Sequence, residues 1–341
     1  MAAPSETNIS NSPSSLSQLL RGNSYTEELR EFLNSLPKET GWLTPDLYNY
    51  KGFWLEPLFL QGALTSHQHF QAQDSDIILS TFPKSGTVWL KALAFALITR
   101  KQFLESQESE KTHPLHTNNP HDLIPILEFS YTEKERPDLA LTNGLRLLAT
   151  HLPLSLLPKS VWESKCKLIY LCRNPKDTVV SFWHFINKLR SELRGQEAMP
   201  FPEAFDSYCR GVCNTGPFWD HVLEHWKESL ENPEKVLFFK YEEMKKEPEA
   251  HLRRMAAFLE CPFSEEEEEC GVVSGILRLC SFEMLSNLEV NKSVVNAVGV
   301  ENGVFFRKGK VGDWRNHLTD EMATRLDQIV EEKFKGTGLK F

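Results

Sequence analysis

A lysine, two hydroxyls and a glycine stand together in Pro83-Lys84-Ser85-Gly86-Thr87, with Val88 and Trp89 directly behind them. The run Ile77-Ile78-Leu79 leading to Thr81-Phe82 is short, apolar and of strand length, and beyond the turn apolar residues fall at Leu90, Leu93, Ala94 and Leu97, the spacing of one helix face. A strand, a tight turn and a helix N-terminus are therefore expected in succession. The free N–H groups and positive dipole end of such a terminus attract an anion. Lys84 adds a full charge, Ser85 and Thr87 add hydroxyl donors, and Gly86 lets a phosphate approach the backbone. The order is not GxxxxGK[ST], because the lysine precedes the glycine and the first glycine is missing. An ordinary turn has the same composition, and Trp89 fits either purine stacking or the core.

Two further basic elements and one histidine complete the set. Arg173-Asn174-Pro175-Lys176-Asp177 follows the apolar run Lys167–Cys172, with Ser181 two turns further on. Arg173 ends that strand, where open α/β sheets bind ligands; a surface ion pair is its plainer reading. Phe306-Arg307-Lys308-Gly309-Lys310-Val311-Gly312-Asp313-Trp314 places two cations beside a glycine, a pattern that can wrap an anion or form a simple basic loop. His151, in Thr150-His151-Leu152-Pro153, ends another strand, where a histidine serves structure as readily as chemistry. The acidic run Glu265–Glu269 after Ser264 reads as the solvated first turn of a helix, not as a metal site, and no metal is expected.

The elements that must position these residues alternate. Strands are expected at Ile77–Phe82, Leu145–Thr150, Lys167–Cys172 and Val236–Tyr241. Helices follow the first and third, the latter capped by Asn174 with Pro175 at its first position, and Glu321–Phe334 closes the chain. Continuous apolar strands alternating with helices imply an α/β fold, a central parallel sheet covered by helices on both faces. Ser/Asn/Pro-rich residues 1–24 read as a disordered tail, a helix capped by Ser24 follows with Leu29, Phe32 and Leu33 on its face, and residues 25–341 read as a single domain. The aromatic stretch Trp42–Phe70 reads as loops and a short helix. The polar intervals near 101–117 and 286–303 read as surface loops framing a substrate mouth.

Composition narrows the classes. With 341 residues, 40% hydrophobic and 25% charged, the chain is long enough for a sizeable core. A formal charge of -9 argues against coating nucleic acid. Seven cysteines, an odd number without a CxxC pair, read as reduced thiols. No apolar stretch reaches bilayer length and no leader pattern opens the chain, so no membrane association and a cytoplasmic location are expected.

Taken together, PKSGT-x-W, CRNPKD-x-x-x-S and RKG-x-x-GDW, in this order, resemble the soluble cytosolic sulfotransferases of flowering plants, over about Ser35 to Phe341. The resemblance implies the donor 3'-phosphoadenosine 5'-phosphosulfate (PAPS). Lys84, Ser85, Gly86 and Thr87, with Val88 in the same loop, match the 5'-phosphosulfate site, and Trp89 matches an adenine-packing tryptophan. Arg173, Ser181, Arg307, Lys308 and Gly309 match the 3'-phosphate site, and His151 matches the catalytic base. An imidazole of pKa near ~6.5 suits removal of a hydroxyl proton. Lys84 would stabilise the leaving oxygen, with Ser181 holding Lys84 back until an acceptor arrives. The partner implied is a small hydroxylated acceptor. Val88 departs from the usual second threonine, Ala149 from the lysine that many animal members carry, and Thr319-Asp320 with Thr324 from the animal dimer motif, so a monomer is expected, with a weak dimer as the alternative. The aromatic stretch (Trp42, Tyr48, Tyr50, Phe53, Trp54, Phe59), with Phe53 and Trp54 as pocket lining, favours a flavonoid or other phenol, or a steroid. Hydroxyjasmonates and desulfoglucosinolates are the alternatives within the family. A P-loop kinase, which would need a GxxxxGK loop and an acidic magnesium ligand, and a non-catalytic nucleotide-binding protein are the alternatives outside it.

Overall fold

Between Glu27 and His69 the chain builds a small outer layer before it enters the main sheet. The computed structural model describes residues 27–103, 112–133, 137, 139, 146–295 and 299–341. The tail expected over residues 1–24, the Ser24 cap, Leu145 and part of the first polar interval lie outside them. Helix α1 (Glu27–Asn34) buries Leu29 and Leu33, one turn apart. Strands β1 (Lys38–Thr40), β2 (Asp46–Tyr50) and β3 (Phe53–Leu55) form an antiparallel meander where loops were expected. Strands of three to five residues are too short to show alternation. Helix α2 (Pro57–His69) is 13 residues, longer than expected, and begins with Pro57 at its first position, where the missing N–H costs nothing.

The main sheet follows the expected alternation. Strand β4 (Ile77–Thr81) runs into helix α3 (Thr87–Phe103), and α4 (Leu127–Glu133) precedes β5 (Leu147–Thr150). Strand β6 (Lys167–Cys172) leads to α5 (Pro175–Arg194), then α6 (Phe218–Glu231), β7 (Val236–Lys240) and the closing α7 (Asp320–Phe334). The order is β5-β4-β6-β7, every pair parallel. Asn174 caps α5 by accepting from the Lys176 N–H at 3.0 Å, and Gly195 ends it in the left-handed region.

Successive strand residues face opposite cores. Ile78, Leu148, Leu168, Tyr170 and Phe238 pack with Val179 and Phe182 of α5 and Phe218 and Val222 of α6. Ile77, Leu79, Ala149, Ile169 and Phe239 pack with Leu90, Leu93 and Leu97 of α3. Each fully buried side chain of this size contributes roughly 1.5–3 kcal/mol, which holds the sheet between its helical layers. The acidic run is a capped helical turn as expected, with Ser264 and Glu267 forming a capping box, although Glu267 also binds Arg100 at 2.7 Å. The interval near 286–303 is less superficial than its polarity suggested. Asn291 and Asn302 are buried, and Asn291 accepts from the Asn119 amide at 2.8 Å. Side-chain amides here satisfy a loop that carries few apolar residues. All seven cysteines are free, and among the described residues no helix is long and apolar enough to cross a membrane.

Candidate active site

The parallel register decides where the chemistry gathers. Ser80 pairs with Thr150, Thr81 with Leu171, and Cys172 with Lys240. The residues immediately beyond these strands therefore emerge at one edge of the sheet: the Lys84 loop, His151, Arg173 and Tyr241. All of them line a single cavity of about 400 Å³. That edge is the ligand-binding position expected of an open α/β sheet.

One end of the cavity is built for anions. Lys84 has φ of 69°, a left-handed conformation that costs a lysine about 1–2 kcal/mol, and the turn opens onto the N-terminus of α3. At Gly86, φ is 112° and a Cβ would stand 2.9 Å from the Tyr241 ring, so only glycine fits. At Gly309 a Cβ would meet the Phe282 ring at 2.4 Å. Ser85 Oγ, Arg173 Nε and Arg307 Nε are buried without a hydrogen-bond partner among the described residues. Such orphaned donors call for a ligand; Arg173 and Arg307 line the cavity, whereas Ser85, although its loop neighbours line it, does not. Val88 and Trp89 also line the cavity, with Lys245 Nζ 5.3 Å from the Trp89 ring centre. Thr87 Oγ1 is instead 2.8 Å from Thr81 Oγ1.

Carboxylates hold the two basic segments in place. Asp177 accepts from the backbone N–H groups of Gly312 (2.7 Å) and Trp314 (3.0 Å), which pins the C-terminal basic loop onto α5. Asp313 accepts from Arg307 and from Lys308 at 2.7 Å, and these bonds hold its carboxyl well below the usual range although burial opposes them. Arg173 donates to the Lys310 carbonyl at 2.8 Å and lies 4.8 Å over Tyr241. Removal from water, with Arg173 and Arg307 nearby, lowers Lys84 to about 7. Its ammonium rests on the Phe185 ring, 4.2 Å from the centre. The hydrogen bond to Ser181 implied by the resemblance is not formed among the described residues, although Ser181 is buried on the same cavity wall. The ring face takes the cation instead.

His151 is held on three sides. Its N–H donates to Glu128 Oε1 at 2.8 Å, and its carbonyl accepts from His221 Nε2 at 3.1 Å. Its Nδ1 lies 2.8 Å from the Thr81 carbonyl, which can only accept, so Nδ1 carries the proton and Nε2 keeps its lone pair. Burial lowers His151 to about 4, so it is neutral at pH 7. Glu128 itself is fully buried, binds Thr150 Oγ1 at 2.9 Å, and is raised by burial to about 7. Lys91, also fully buried, donates to the Ile124 carbonyl and to His121 Nδ1, each at 2.8 Å. Among the described residues no group of three or more His, Cys, Asp or Glu side chains could hold a metal ion.

The other end of the cavity is apolar, but not as the sequence suggested. Phe53 and Trp54 do not line it, and of the aromatic stretch only Phe59 does. Phe53 is core, and Trp42 stacks on Phe182 at 5.2 Å from behind the wall. The lining aromatics come from elsewhere: Phe129, Phe182, Phe185 and Phe305. Sequence reasoning also missed Tyr241, whose position at a strand's end was a usable signal, and Glu56, Glu128 and His121, which carried none.

The comparisons agree with this geometry. Residues 74–338 match the model of the sulfotransferase domain. Cytosolic sulfotransferase 12 of Arabidopsis thaliana is 49% identical over 330 residues, covering 97% of this chain and 99% of that protein. Cytosolic sulfotransferase 15 of the same plant is 47% identical over 315 residues, 92% of this chain and 87% of the relative. Among solved structures, a provisionally named steroid sulphotransferase of Arabidopsis thaliana superposes with a TM-score of 0.73 at 44% identity, covering 93% of this chain and 99% of its own. A mouse sulfotransferase complexed with PAP gives 0.64 at 28% identity, over 85% and 95% of the two chains. With the family's domain spanning most of the molecule and relatives nearly half identical over almost its whole length, the chain belongs to the sulfotransferase family, as an enzyme of the plant cytosolic type that takes its sulfuryl group from PAPS.

Proposed function

We propose that this enzyme sulfates a phenolic or steroidal hydroxyl of a neutral ring acceptor, with His151 as general base and Lys84 as the cation at the leaving oxygen. The observation that carries the reading is the His151 tautomer: Nδ1–H is tied to the Thr81 carbonyl, which leaves an unprotonated Nε2 on a residue that lines the same cavity as Lys84. The donor, when bound, supplies the sulfuryl group and a phosphate leaving group. Lys84, Ser85, Gly86 and Thr87, with Val88, would hold its 5' end and Trp89 its purine. Arg173, Ser181, Arg307, Lys308 and Gly309 would hold its 3'-phosphate.

His151 Nε2 accepts the proton of the acceptor hydroxyl as the oxygen becomes nucleophilic. Protonated Lys84 opposes the negative charge that gathers at the departing oxygen. The apolar wall of Phe129, Phe182 and Phe185 keeps water from competing with the acceptor and suits a flat or fused ring. The provisional steroid name of one structural relative supports the same class. Residues 25–341 are read as one domain acting as a cytosolic monomer.

The test is a screen of flavonoids, other phenols, steroids, hydroxyjasmonates and desulfoglucosinolates with labelled PAPS, beginning with flavonoids. Turnover confined to the last two classes would refute the acceptor reading. His151→Ala should lower kcat by about 10²–10⁴-fold while PAP still raises Tm; near-full activity would retire His151 as base.

A further inference from the structure

We propose that Glu56 reads the far end of the acceptor, binding a second hydroxyl remote from the one that is sulfated. This rests on the ring-acceptor reading above and narrows it to neutral molecules with hydroxyls at both ends.

Glu56 is 3% exposed and lines the cavity. Its backbone is engaged, the N–H donating to Asn214 Oδ1 at 3.0 Å and the carbonyl accepting from the Leu60 N–H at 3.0 Å. Its carboxyl makes no hydrogen bond to any described residue. Only the charge of Arg194 favours its ionised form, and a carboxyl so deeply set that faces a cavity with no hydrogen-bond partner points to a ligand group that completes it.

Helix α5 measures the distance. Ser181, Phe185, Leu189 and Leu193 form one stripe of the cavity wall. Phe185 touches the Lys84 ammonium, whereas Arg194, nine residues further along the helix, acts electrostatically on Glu56. Nine residues of helix rise about 14 Å, the reach of a fused three- or four-ring skeleton. This places Glu56 towards the end of the cavity away from the donor loop, in a cavity whose wall also includes the apolar Leu43, Phe59 and Leu193.

The chemistry selects a hydroxyl. Burial raises the Glu56 carboxyl to about 7, so ionised and neutral forms are both present near neutrality. A hydroxyl can donate to the first and accept from the second. An ammonium suits only the ionised form and a ketone only the protonated one. An acidic tail would meet like charge.

The experiment measures binding to the PAP-saturated enzyme by calorimetry, with two probes: estradiol, a phenol with a distal hydroxyl, and its 17-deoxy analogue. In the wild type the diol should bind about tenfold tighter or more. Glu56→Leu should bring the two affinities within about threefold, and Glu56→Gln, which keeps a donor and an acceptor, should retain most of the preference. The same ratio should appear in KM rather than kcat. A merely structural role would weaken both probes together, and a retained PAP-induced rise in Tm reports that the variants fold. Equal binding of the two probes to wild type, or a preference that survives Glu56→Leu, would overturn the assignment and leave the ring-acceptor reading standing. Binding of neither probe would remove the steroid reading and this inference with it.

Discussion

The backbone N–H of His151 and the carboxylate of Glu128 lie 2.8 Å apart, and the same carboxylate takes the Thr150 hydroxyl at 2.9 Å. One fully buried acid from α4 thus fixes the last turn of β5, and with it the direction of the imidazole. Glu128→Ala leaves a buried amide and a buried hydroxyl without an acceptor. It should cost roughly 1–3 kcal/mol of stability and lower kcat at least tenfold, while PAP still binds. Chemical denaturation and steady-state kinetics on the same variant measure the two effects; wild-type kcat would show that His151 is held without Glu128.

The two basic segments flank orphaned guanidinium nitrogens, so the 3'-phosphate should dominate nucleotide recognition. PAP should raise Tm by several degrees and AMP by far less, since only a ligand that binds the folded state stabilises it. Asp177→Asn should shrink the PAP shift, because Asp177 ties the loop bearing Arg307 and Lys308 to α5. Equal shifts with PAP and AMP would contradict the assignment of Arg173, Ser181 and Arg307 to that phosphate.

Lys84, lowered to about 7 by burial and by two neighbouring guanidiniums, should make donor affinity depend on pH. The protonated form attracts the anion and predominates below about 7, so PAP should bind most tightly on the acid side and weaken as pH rises. Bound phosphate stabilises the ammonium and moves the loss to higher pH. His151 and His184, each lowered to about 4, stay neutral through this window. A calorimetric titration from acid to alkaline pH should show the decline in wild type and a flatter profile in Lys84→Met.

Val88 lines the cavity at the entrance to α3 and offers no donor. Val88→Thr should add a neutral hydrogen bond to the bound 5' end and tighten PAP by about 0.5–1.5 kcal/mol. Unchanged affinity would mean that the side chain at 88 does not face the phosphate.

The amino-acid sequence by itself determined the parallel sheet and the strand–turn–helix that carries Lys84. Lys84 to Thr87 sit in one turn between an apolar strand and a helix with clear periodicity, and Asn174-Pro175 announces its helix by local capping chemistry. Interactions between chain neighbours can be read from neighbours. The tertiary structure alone decided the acceptor end, because its wall is assembled from Leu43, Glu56, Phe59, Phe129, α5 and Phe305, remote in sequence and joined only by packing. An aromatic residue buries as well in a core as in a cavity wall. Composition therefore could not tell that Phe53 would be core and Phe185 would carry Lys84. The tautomer of His151 was likewise invisible, since the Thr81 carbonyl that sets it comes from another strand and meets the ring only when β4 and β5 pair in register.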